Sequence, residues 1–234
     1  MPLVYVLTAT PGESTGVESA LATYAPRHLA VRSLETGPGK LNAAMMATKI
    51  ISLNPDVDLI LGVGTAGSMA LNLKAGDVTV ANETIIGDWR EEDGSGWRTA
   101  AYGSFDYGQP SEKVEKMVIR STSPLILKFL AAFDADCPRV RTFSSDLFVG
   151  GKELKLQLGQ LFGCQICEME AGALAHVARR SGRVPWLQIR VVADTLDDAL
   201  ADYFRIEKDM VQILGAKVLA AIQLLDENWT AFAS

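Results

Sequence analysis

The stretch Val57-Asp58-Leu59-Ile60-Leu61-Gly62-Val63, followed at once by Gly64-Thr65-Ala66-Gly67, decides the fold class of this chain. Its first part is nearly all apolar, which is typical of a strand that is buried on both faces of a sheet. The glycines behind it allow a ligand or another backbone segment to come close to the strand end. We therefore predict a buried strand over residues 57–63 and, beside a ligand, a turn over residues 64–67.

Short runs rich in β-branched residues alternate with helical patterns on both sides of this stretch. The runs predict strands at residues 3–9, 28–34, 77–86, 140–143, 166–169 and 186–192. The helical patterns lie at residues 40–52, 124–135, 151–161, 171–180 and 203–225, after a first helix that carries Val17, Leu21 and Tyr24. This alternation indicates an α/β fold. Because no repeat, low-complexity tract or linker interrupts it, we expect residues 1–234 to form a single domain.

The composition argues against several classes of function. The chain has 234 residues with 22 Lys and Arg against 28 Asp and Glu, a net charge of −6. Nucleic acids and anionic membranes are poor partners for such a chain, since both are bound through Lys and Arg. No apolar run reaches the roughly 20 residues that span a bilayer, and residues 1–8 lack the basic start of a signal peptide. Three cysteines are too few for a disulfide framework, so we expect a cytoplasmic protein.

Three motifs that resemble cofactor sites have simpler interpretations. Residues 62–67 spell GxGxxG, but residues 68–75 leave too little chain for the crossover helix of a dinucleotide-binding unit. Cys164 and Cys167 form a CxxC pair without matching zinc ligands, and we expect them and His176 to be structural. Residues 37–40 end in Gly-Lys but lack the remaining frame of a phosphate loop. We therefore expect neither a metal nor a cofactor.

Carboxylates or small polar residues stand at four predicted segment ends, where an open α/β sheet binds its ligands. These segments are residues 9–13, 64–67, 168–171 and 190–194. A carboxylate at the end of a buried strand needs a partner, because a desolvated charge is costly. If the segments converge, they form a site that can hold a polyhydroxylated substrate and transfer protons. Taken one at a time, the same acids also fit helix N-caps and first-turn positions.

Short sequence blocks in a fixed order span nearly the whole chain. They are Thr36-Gly37-Pro38-Gly39-Lys40, Asn42-Ala43-Ala44, Gly64-Thr65-Ala66-Gly67, Gly76-Asp77, Ser145-Asp146-Leu147-Phe148, Glu168-Met169-Glu170-Ala171-Gly172-Ala173 and Arg190-Val191-Val192-Ala193-Asp194. This set resembles the nucleoside phosphorylase and nucleosidase superfamily, and within it the 5′-methylthioadenosine/S-adenosylhomocysteine nucleosidases. The resemblance implies a three-layer α/β domain with a central mixed, twisted sheet flanked by helices.

The resemblance also implies a catalytic role for three carboxylates. Asp194 would be protonated and donate to N7 of a purine, which makes the base a better leaving group. Glu170 would accept the ribose hydroxyls, and its charge would stabilise an oxocarbenium-like sugar cation. Glu13 would orient and deprotonate the attacking water.

The substrate contacts are implied by the same resemblance. Phe148 would stack on the purine, while the Val149 backbone reads the edge of the base. Met169 would pack against the sugar, and Arg190 would organise the carboxylates. Contacts to the ribose or the water would come from one short segment: Thr65, Ala66 and Gly67.

A long polar loop over residues 87–112 carries aromatic side chains. Loops of this length are usually functional or disordered, and a merely exposed surface loop stays an alternative here. In the resembling family this region crosses a dimer interface and covers the 5′-substituent bound to the neighbouring subunit. The resemblance therefore implies a homodimer in which Phe105 and Tyr107 line the 5′ pocket.

Missing arginines favour water over phosphate as the nucleophile. Phosphorylases of this superfamily hold phosphate with arginines, one of them at the position of Gly62, and no Arg follows the first strand before Arg27. The arginine fork is what binds phosphate bidentately. We therefore predict an N-ribosyl hydrolase that acts on a 5′-modified adenosine. The alternatives are a phosphorylase, a nucleosidase for a futalosine-type nucleoside, and a nucleoside-binding sensor, which would need no acid at N7.

Overall fold

In a computed structural model of the protein, residues 1–88, 90–92, 97–99, 115, 117–182, 184–196 and 201–234 are described, with only the backbone of residues 90–92, 97–99 and 201–208. The strands are β1 (Leu3–Thr8), β2 (Ala30–Glu35), β3 (Val57–Ser68), β4 (Val78–Ile86), β5 (Arg90–Glu92), β6 (Trp97–Thr99), β7 (Ile119–Arg120), β8 (Arg139–Ser144), β9 (Ile166–Glu168) and β10 (Trp186–Asp194). The helices of these ranges are α1 (Pro11–Leu21), α2 (Lys40–Leu53), α3 (Pro124–Ala132), α4 (Lys152–Phe162), α5 (Ala171–Arg180) and α6 (Ala201–Ala233). None of them, in the residues just given, has the length and apolar character needed to cross a membrane.

Eight of the strands form one sheet whose centre closes on itself. β3 pairs in parallel with β1 and β10, and antiparallel with β9. β10 pairs antiparallel with β4, and β8 joins β4 to β9 through two parallel pairings. The strands β3, β10, β4, β8 and β9 thus make a closed ring, which β1 and β2 extend on one side and β7 on the other.

Helices pack on both faces of this sheet. Val6 and Leu61 face a core that is completed by α1, α3 and α6, with Leu214 of α6 fully buried in it. Their chain neighbours Tyr5 and Ile60 face a second core that is completed by α2 and α5. Because successive strand residues point to opposite faces, each strand serves both cores. The prediction of an α/β fold with a mixed central sheet flanked by helices is confirmed.

Two strands extend further than predicted. β3 continues to Ser68, so the turn predicted over residues 64–67 is wrong. β10 continues to Asp194 and pairs with β3 as far as Gly67, which also pairs with Cys167 of β9. Ladder hydrogen bonds on both sides of the β3 end outweigh the weak preference of glycine for strands. The segment that carries the predicted site is therefore held rigidly inside the sheet.

The predicted long loop over residues 87–112 contains regular structure. β5 and β6 pair antiparallel within it as a two-stranded hairpin. The short strand β7 was also not predicted, because two residues carry no readable period. Phe105 and Tyr107, which the family resemblance assigns to the 5′ pocket, lie outside the described residues.

Candidate active site

A cavity of about 260 Å³ lies where β1, β3 and β10 end. These three strands are parallel, so their carboxyl ends meet at the same edge of the sheet. The predicted site residues that line the cavity are Glu13, Thr65, Ala66, Gly67, Phe148, Val149, Met169, Glu170 and Asp194. The structure therefore brings together segments that are far apart in the chain.

Glycines in β3 make room for polar side chains of the neighbouring strand. The register places Gly64 opposite Arg190 and Gly67 opposite Asp194. A Cβ atom at Gly64 would lie 2.4 Å from Arg190 Nη1 and 2.7 Å from Glu13 Oε1, and a Cβ atom at Gly67 would lie 2.7 Å from Asp194 Oδ1. We expected these glycines to admit a ligand or another backbone segment. The structure shows that they admit charged side chains of the site itself.

Glu13 is held by four hydrogen bonds at the start of α1. Its Oε2 accepts from the backbone N–H groups of Ala9 and Thr10 at 3.0 and 3.2 Å, which forms half of a capping box with Thr10. Its Oε1 accepts from the N–H and the hydroxyl of Thr65 at 2.7 and 3.0 Å. Since a carboxylate offers about four lone-pair positions, all of them are occupied. Glu13 is thus a helix-capping acid and a cavity residue at once.

Arg190 holds two carboxylates in place from behind the cavity. Its Nη2 donates to Glu168 Oε2 at 2.6 Å, and Nη1 and Nη2 each lie 3.3 Å from Glu170 Oε2. Nη1 also donates to the carbonyl oxygen of Thr65 at 3.3 Å. The side chain is buried and does not line the cavity. This position fits the organising role that the family resemblance implies for Arg190.

Glu168 caps the N-terminus of α5. Its Oε2 accepts from the N–H groups of Glu170 and Ala171 at 2.7 Å each, in addition to Arg190. A carboxylate at this end of a helix is favoured by the unpaired N–H groups and by the helix dipole. Glu168 therefore connects the guanidinium of Arg190 to the helix on which Glu170 is the N-cap residue.

Glu170 accepts hydrogen bonds from one backbone N–H group and from the Arg190 guanidinium, and its pKa is raised. Its Oε1 accepts from the backbone N–H of Gly39 at 2.9 Å, and its Oε2 faces Arg190. Burial raises the pKa of Glu170 to about 7, against the lowering effect of Arg190 and with a further increase from Glu168. A bound group that donates hydrogen bonds or carries positive charge would shift Glu170 to its ionised form.

Asp194 shares its carboxylate with a buried lysine. Lys155 Nζ, from α4, forms an ion pair with Asp194 Oδ2 and donates to the carbonyl oxygen of Thr195 at 3.1 Å. Burial raises the pKa of Asp194, Lys155 lowers it, and the effect of burial is larger. Asp194 therefore keeps a proton to a higher pH than an ordinary aspartic acid, which is what a general acid requires.

The remaining walls of the cavity are apolar. Phe148 and Leu147 stand at its rim and are 43% and 50% exposed. Cys167 lines the cavity, and Cys164 is buried nearby in the core. Both thiols are free, and burial raises the pKa of Cys167 to about 12, so it is a neutral apolar side chain. The expected burial of the CxxC pair is observed. Within the described ranges no set of His, Cys, Asp and Glu is arranged to hold a metal ion.

Sequence reasoning missed three partners that hold the site acids and Arg190 in place: Lys155, the N–H group of Gly39, and Gln188, whose Oε1 accepts from Arg190 Nη2 at 3.3 Å. For Lys155 a signal was available, because it precedes Leu158 and Phe162 by three and seven positions on the buried face of α4. A lysine on an apolar stripe needs a partner. Gly39 and Gln188 gave no such signal, since their contacts depend on the placement of other elements.

Solved structures share this fold. The 5′-methylthioadenosine/S-adenosylhomocysteine nucleosidase from Helicobacter pylori, solved with butyl-thio-DADMe-Immucillin-A, matches with a TM-score of 0.75 at 19% identity, over 95% of this chain and 98% of that chain. The futalosine hydrolase of Helicobacter pylori gives 0.74 at 19% identity, over 95% and 97%. The nucleosidase from Neisseria meningitidis, in complex with methylthio-immucillin-A, gives 0.73 at 22% identity, over 95% and 99%.

Structural likeness at these sequence identities shows only the fold. A sequence profile shows the family. The profile described as the phosphorylase superfamily matches residues 9–225. That range includes Glu13, Glu170 and Asp194, which the fold brings to one cavity. Since the match covers most of the chain and confirms the family predicted from the sequence blocks, the chain belongs to the phosphorylase superfamily.

Proposed function

We propose that the protein hydrolyses the N-glycosidic bond of a 5′-modified adenosine, of the 5′-methylthioadenosine or S-adenosylhomocysteine type, and releases adenine and the free sugar. The observation that carries this proposal is the cavity lining. It includes the carboxylates of Glu13, Glu168, Glu170 and Asp194 and, among the described residues, neither Lys nor Arg. Acids around an apolar slot suit a substrate that has hydroxyl groups and develops positive charge.

The purine is the leaving group, and Asp194 is its proposed proton donor. When the C1′–N9 bond breaks, the electron pair passes to the base, and the proton of Asp194 passes to N7. Burial raises the pKa of Asp194, so this carboxyl group keeps its proton to a higher pH than an ordinary aspartic acid. Phe148 and Val149 lie on the same cavity and form the apolar surface on which the base would stack.

The sugar is the cationic half of the broken bond, and Glu170 is its proposed stabiliser. Glu170 accepts one N–H from Gly39 and faces Arg190, which leaves acceptor positions for the ribose hydroxyls. Because the pKa of Glu170 is about 7, a bound cation shifts this group to its ionised carboxylate form. Met169, next to it in the chain, provides an apolar contact in the cavity wall.

Water is activated at Glu13 in this proposal. Three of the four donors to its carboxylate are backbone N–H groups, which are fixed by the fold. The fourth is the hydroxyl of Thr65, which can rotate. We therefore assign Thr65 as the group that yields its place to water, whose oxygen then bonds C1′ while its proton passes to Glu13.

Water is preferred to phosphate on electrostatic grounds. The space beside Gly62 is filled by Gln188, whose Oε1 would lie 2.3 Å from a Cβ atom there. The Nη groups of Arg190 are already bound to Glu168 and Glu170. A phosphate dianion in the cavity would face carboxylates without an uncommitted cation among the described lining residues.

A homodimer is the proposed assembly. Leu41 and Met45, one turn apart on α2, are 85% and 62% exposed, and Leu147 and Phe148 at the cavity rim are 50% and 43% exposed. The N-terminus of α2 contacts this rim, because the N–H of Lys40 donates to Asp146 Oδ1 at 2.8 Å. Clustered exposed apolar side chains of this kind mark protein interfaces. A second copy of the chain is the partner proposed for this surface.

The cytoplasm is the proposed compartment. All three cysteines of the sequence, Cys137, Cys164 and Cys167, are free and buried. Reducing compartments keep thiols in this state.

The test is an assay of base release. Purified protein is incubated with methylthioadenosine, adenosylhomocysteine, adenosine, inosine and futalosine, each with and without phosphate, and the free base is quantified. We expect phosphate-independent release, fastest from the two 5′-thio nucleosides. Base release that requires phosphate would show phosphorolysis instead of hydrolysis. Base release from futalosine alone would show a futalosine-type nucleosidase instead of the proposed substrate class. Binding without release from any nucleoside would identify a sensor.

A further inference from the structure

Lys155 is a buried charged residue that has no role in the reaction proposed above. Its exposed fraction is 0%, and it lies on α4, an element that carries none of the cavity carboxylates. Its ammonium group contacts Asp194 Oδ2 and the carbonyl oxygen of Thr195. Lys155 does not line the cavity, and its contact with the lining is made through Asp194.

Stability gives no reason for a lysine at this position. Removing an ammonium group from water is costly, and apolar replacements of buried ion pairs are often neutral or stabilising. The neighbours of Lys155 on the buried face of α4 are Leu158 and Phe162, among which a methionine or leucine would pack well. A buried lysine whose ion-pair partner is the proposed proton donor therefore points to a role in the chemistry of that carboxyl group.

We propose that Lys155 is a positioning residue for Asp194. It fixes the carboxyl group through Oδ2, leaves Oδ1 to meet the base, and sets the pH above which Asp194 no longer holds a proton. This inference rests on the proposed function, in which Asp194 gives its proton to N7 as the C1′–N9 bond breaks. The carboxylate that remains after the transfer is stabilised by the ammonium group of Lys155, which makes Asp194 a stronger acid.

The surroundings of Asp194 make Lys155 the group that decides its proton affinity. From β9, Cys167 faces the same space, but burial raises the pKa of this thiol to about 12, so it carries no charge. From β3, the neighbour is Gly67, which has no side chain. In the described part of the chain Lys155 is thus the charged neighbour of Asp194, and its removal must raise the pKa of Asp194.

The first experiment measures this pKa without relying on activity. The Asp194 carboxyl carbon is followed by ¹³C NMR in protein labelled at aspartate, and its signal is identified by its absence in Asp194→Asn. Lys155→Met removes the charge and keeps most of the volume. Lys217→Met is the matched control, because Lys217 forms the same type of ion pair with Asp134 at a half-exposed site on α6.

We expect the titration midpoint of Asp194 to rise by about one pH unit or more in Lys155→Met, and to stay in place in Lys217→Met. An unchanged or lower midpoint in Lys155→Met would overturn the proposal. If this variant does not fold, Lys155→Gln takes its place, because it removes the charge and keeps a hydrogen-bond donor for Oδ2. In Lys155→Gln we also expect the Asp194 midpoint to rise. An unchanged or lower midpoint in this variant would overturn the proposal.

The second experiment is the pH profile of base release. In Lys155→Met the alkaline decline of kcat should move to higher pH by the same amount, and in Lys217→Met it should not move. A structural role alone would lower activity without moving the decline. Wild-type protein that releases no base would refute the proposed function but would leave the NMR titration to decide on Lys155. If the wild type is active and the Asp194 midpoint is unmoved in Lys155→Met, only the inference on Lys155 is refuted.

Discussion

Two buried carboxylate sites at opposite regions of the molecule behave in opposite ways. Asp226 on α6 is 3% exposed and accepts hydrogen bonds from the Tyr24 hydroxyl at 2.8 Å and from the N–H groups of Arg27, His28 and Leu29 at 2.6 to 3.1 Å. Burial raises the pKa of Asp226, but these donors outweigh it, and the pKa is lower than usual. This carboxylate ties the final helix to the segment that leads into β2.

Glu170 and Asp194 have similarly small exposed fractions, but they lie deeper in the protein, so burial prevails there and both pKa values are raised. Each faces a cation and few other donors, and each has an oxygen on the side of the cavity. The difference shows that burial alone does not decide how a carboxylate titrates. The depth of burial and the number of fixed donors together set the pKa, and a ligand would supply further donors to the cavity acids.

The largest expected effect is the loss of turnover in Asp194→Asn. The amide keeps the shape but cannot deliver a proton to the base, so kcat should fall by on the order of a hundredfold or more. Asp226→Asn is the control at the other site, and its kcat at 25 °C should remain within about twofold of wild type by the same reasoning. Steady-state rates of base release give both values. Full activity of Asp194→Asn would remove Asp194 from the mechanism.

The next largest effect is the loss of stability expected in Gly64→Ala, which fills the space in which the cavity acids are held. Gly64→Ala would place a methyl group against Arg190 Nη1 and Glu13 Oε1. We expect a loss of about 1–3 kcal/mol in the free energy of unfolding, as for other overpacked sites, together with reduced activity. Urea denaturation measures the first quantity. In Gly150→Ala the nearest atoms lie at an ordinary 3.7 Å, and unchanged stability is expected there. Equal stability of the two variants would contradict the assigned packing.

Asp226→Asn should cost stability rather than activity. The amide nitrogen would face N–H groups that now donate to a carboxylate, which leaves buried donors unpaired. We expect a loss of about 1–3 kcal/mol, seen as a lower Tm by roughly 2–4 °C for each kcal/mol in a chain of this size. An unchanged Tm, measured by differential scanning calorimetry, would show that the donors around Asp226 are not important for folding.

The smallest effect is the pH dependence of stability, which should have opposite signs at the two sites. In the folded state Glu170 keeps its proton up to about 7 instead of its ordinary 4.5, so its contribution to stability is lost as pH rises through that window. Asp226 has a lowered pKa, so its contribution is present above about 3.8 and is lost as pH falls below it.

The two variants make this comparison measurable. The Tm of wild type minus that of Glu170→Gln should fall between pH 4.5 and 7. The Tm of wild type minus that of Asp226→Asn should instead shrink only below about pH 3.8. Two differences that change in the same direction with pH would contradict the contrast between the sites.

Much of the fold was predictable because it depends on local patterns. The helix predicted over residues 171–180 is α5 itself, and the predicted central strand begins at Val57 as observed. The end of this strand was not predictable in the same way. Residues 64–67 remain extended because β10 and β9 pair with them, and those partners lie about a hundred residues further along the chain.

The candidate site was also predictable only in part: its acids were predicted, and their partners were not. Glu13, Glu170 and Asp194 were expected from their positions at segment ends, and all three line one cavity. Lys155 and Gly39 were not expected as partners, since the contact of Lys155 with Asp194 joins residues 39 apart and that of Gly39 with Glu170 joins residues 131 apart. No local period encodes such pairs.

The sequence by itself determined the class of fold, the family and the acids that come to the sheet edge, because apolar periodicity and short blocks are written locally. The tertiary structure decided which acids share a cation, which are saturated by backbone N–H groups, and which have a raised pKa. These properties arise from strand register and helix docking. Gly64 opposite Arg190 and Lys155 behind Asp194 are the two placements on which the proposed chemistry of the site depends.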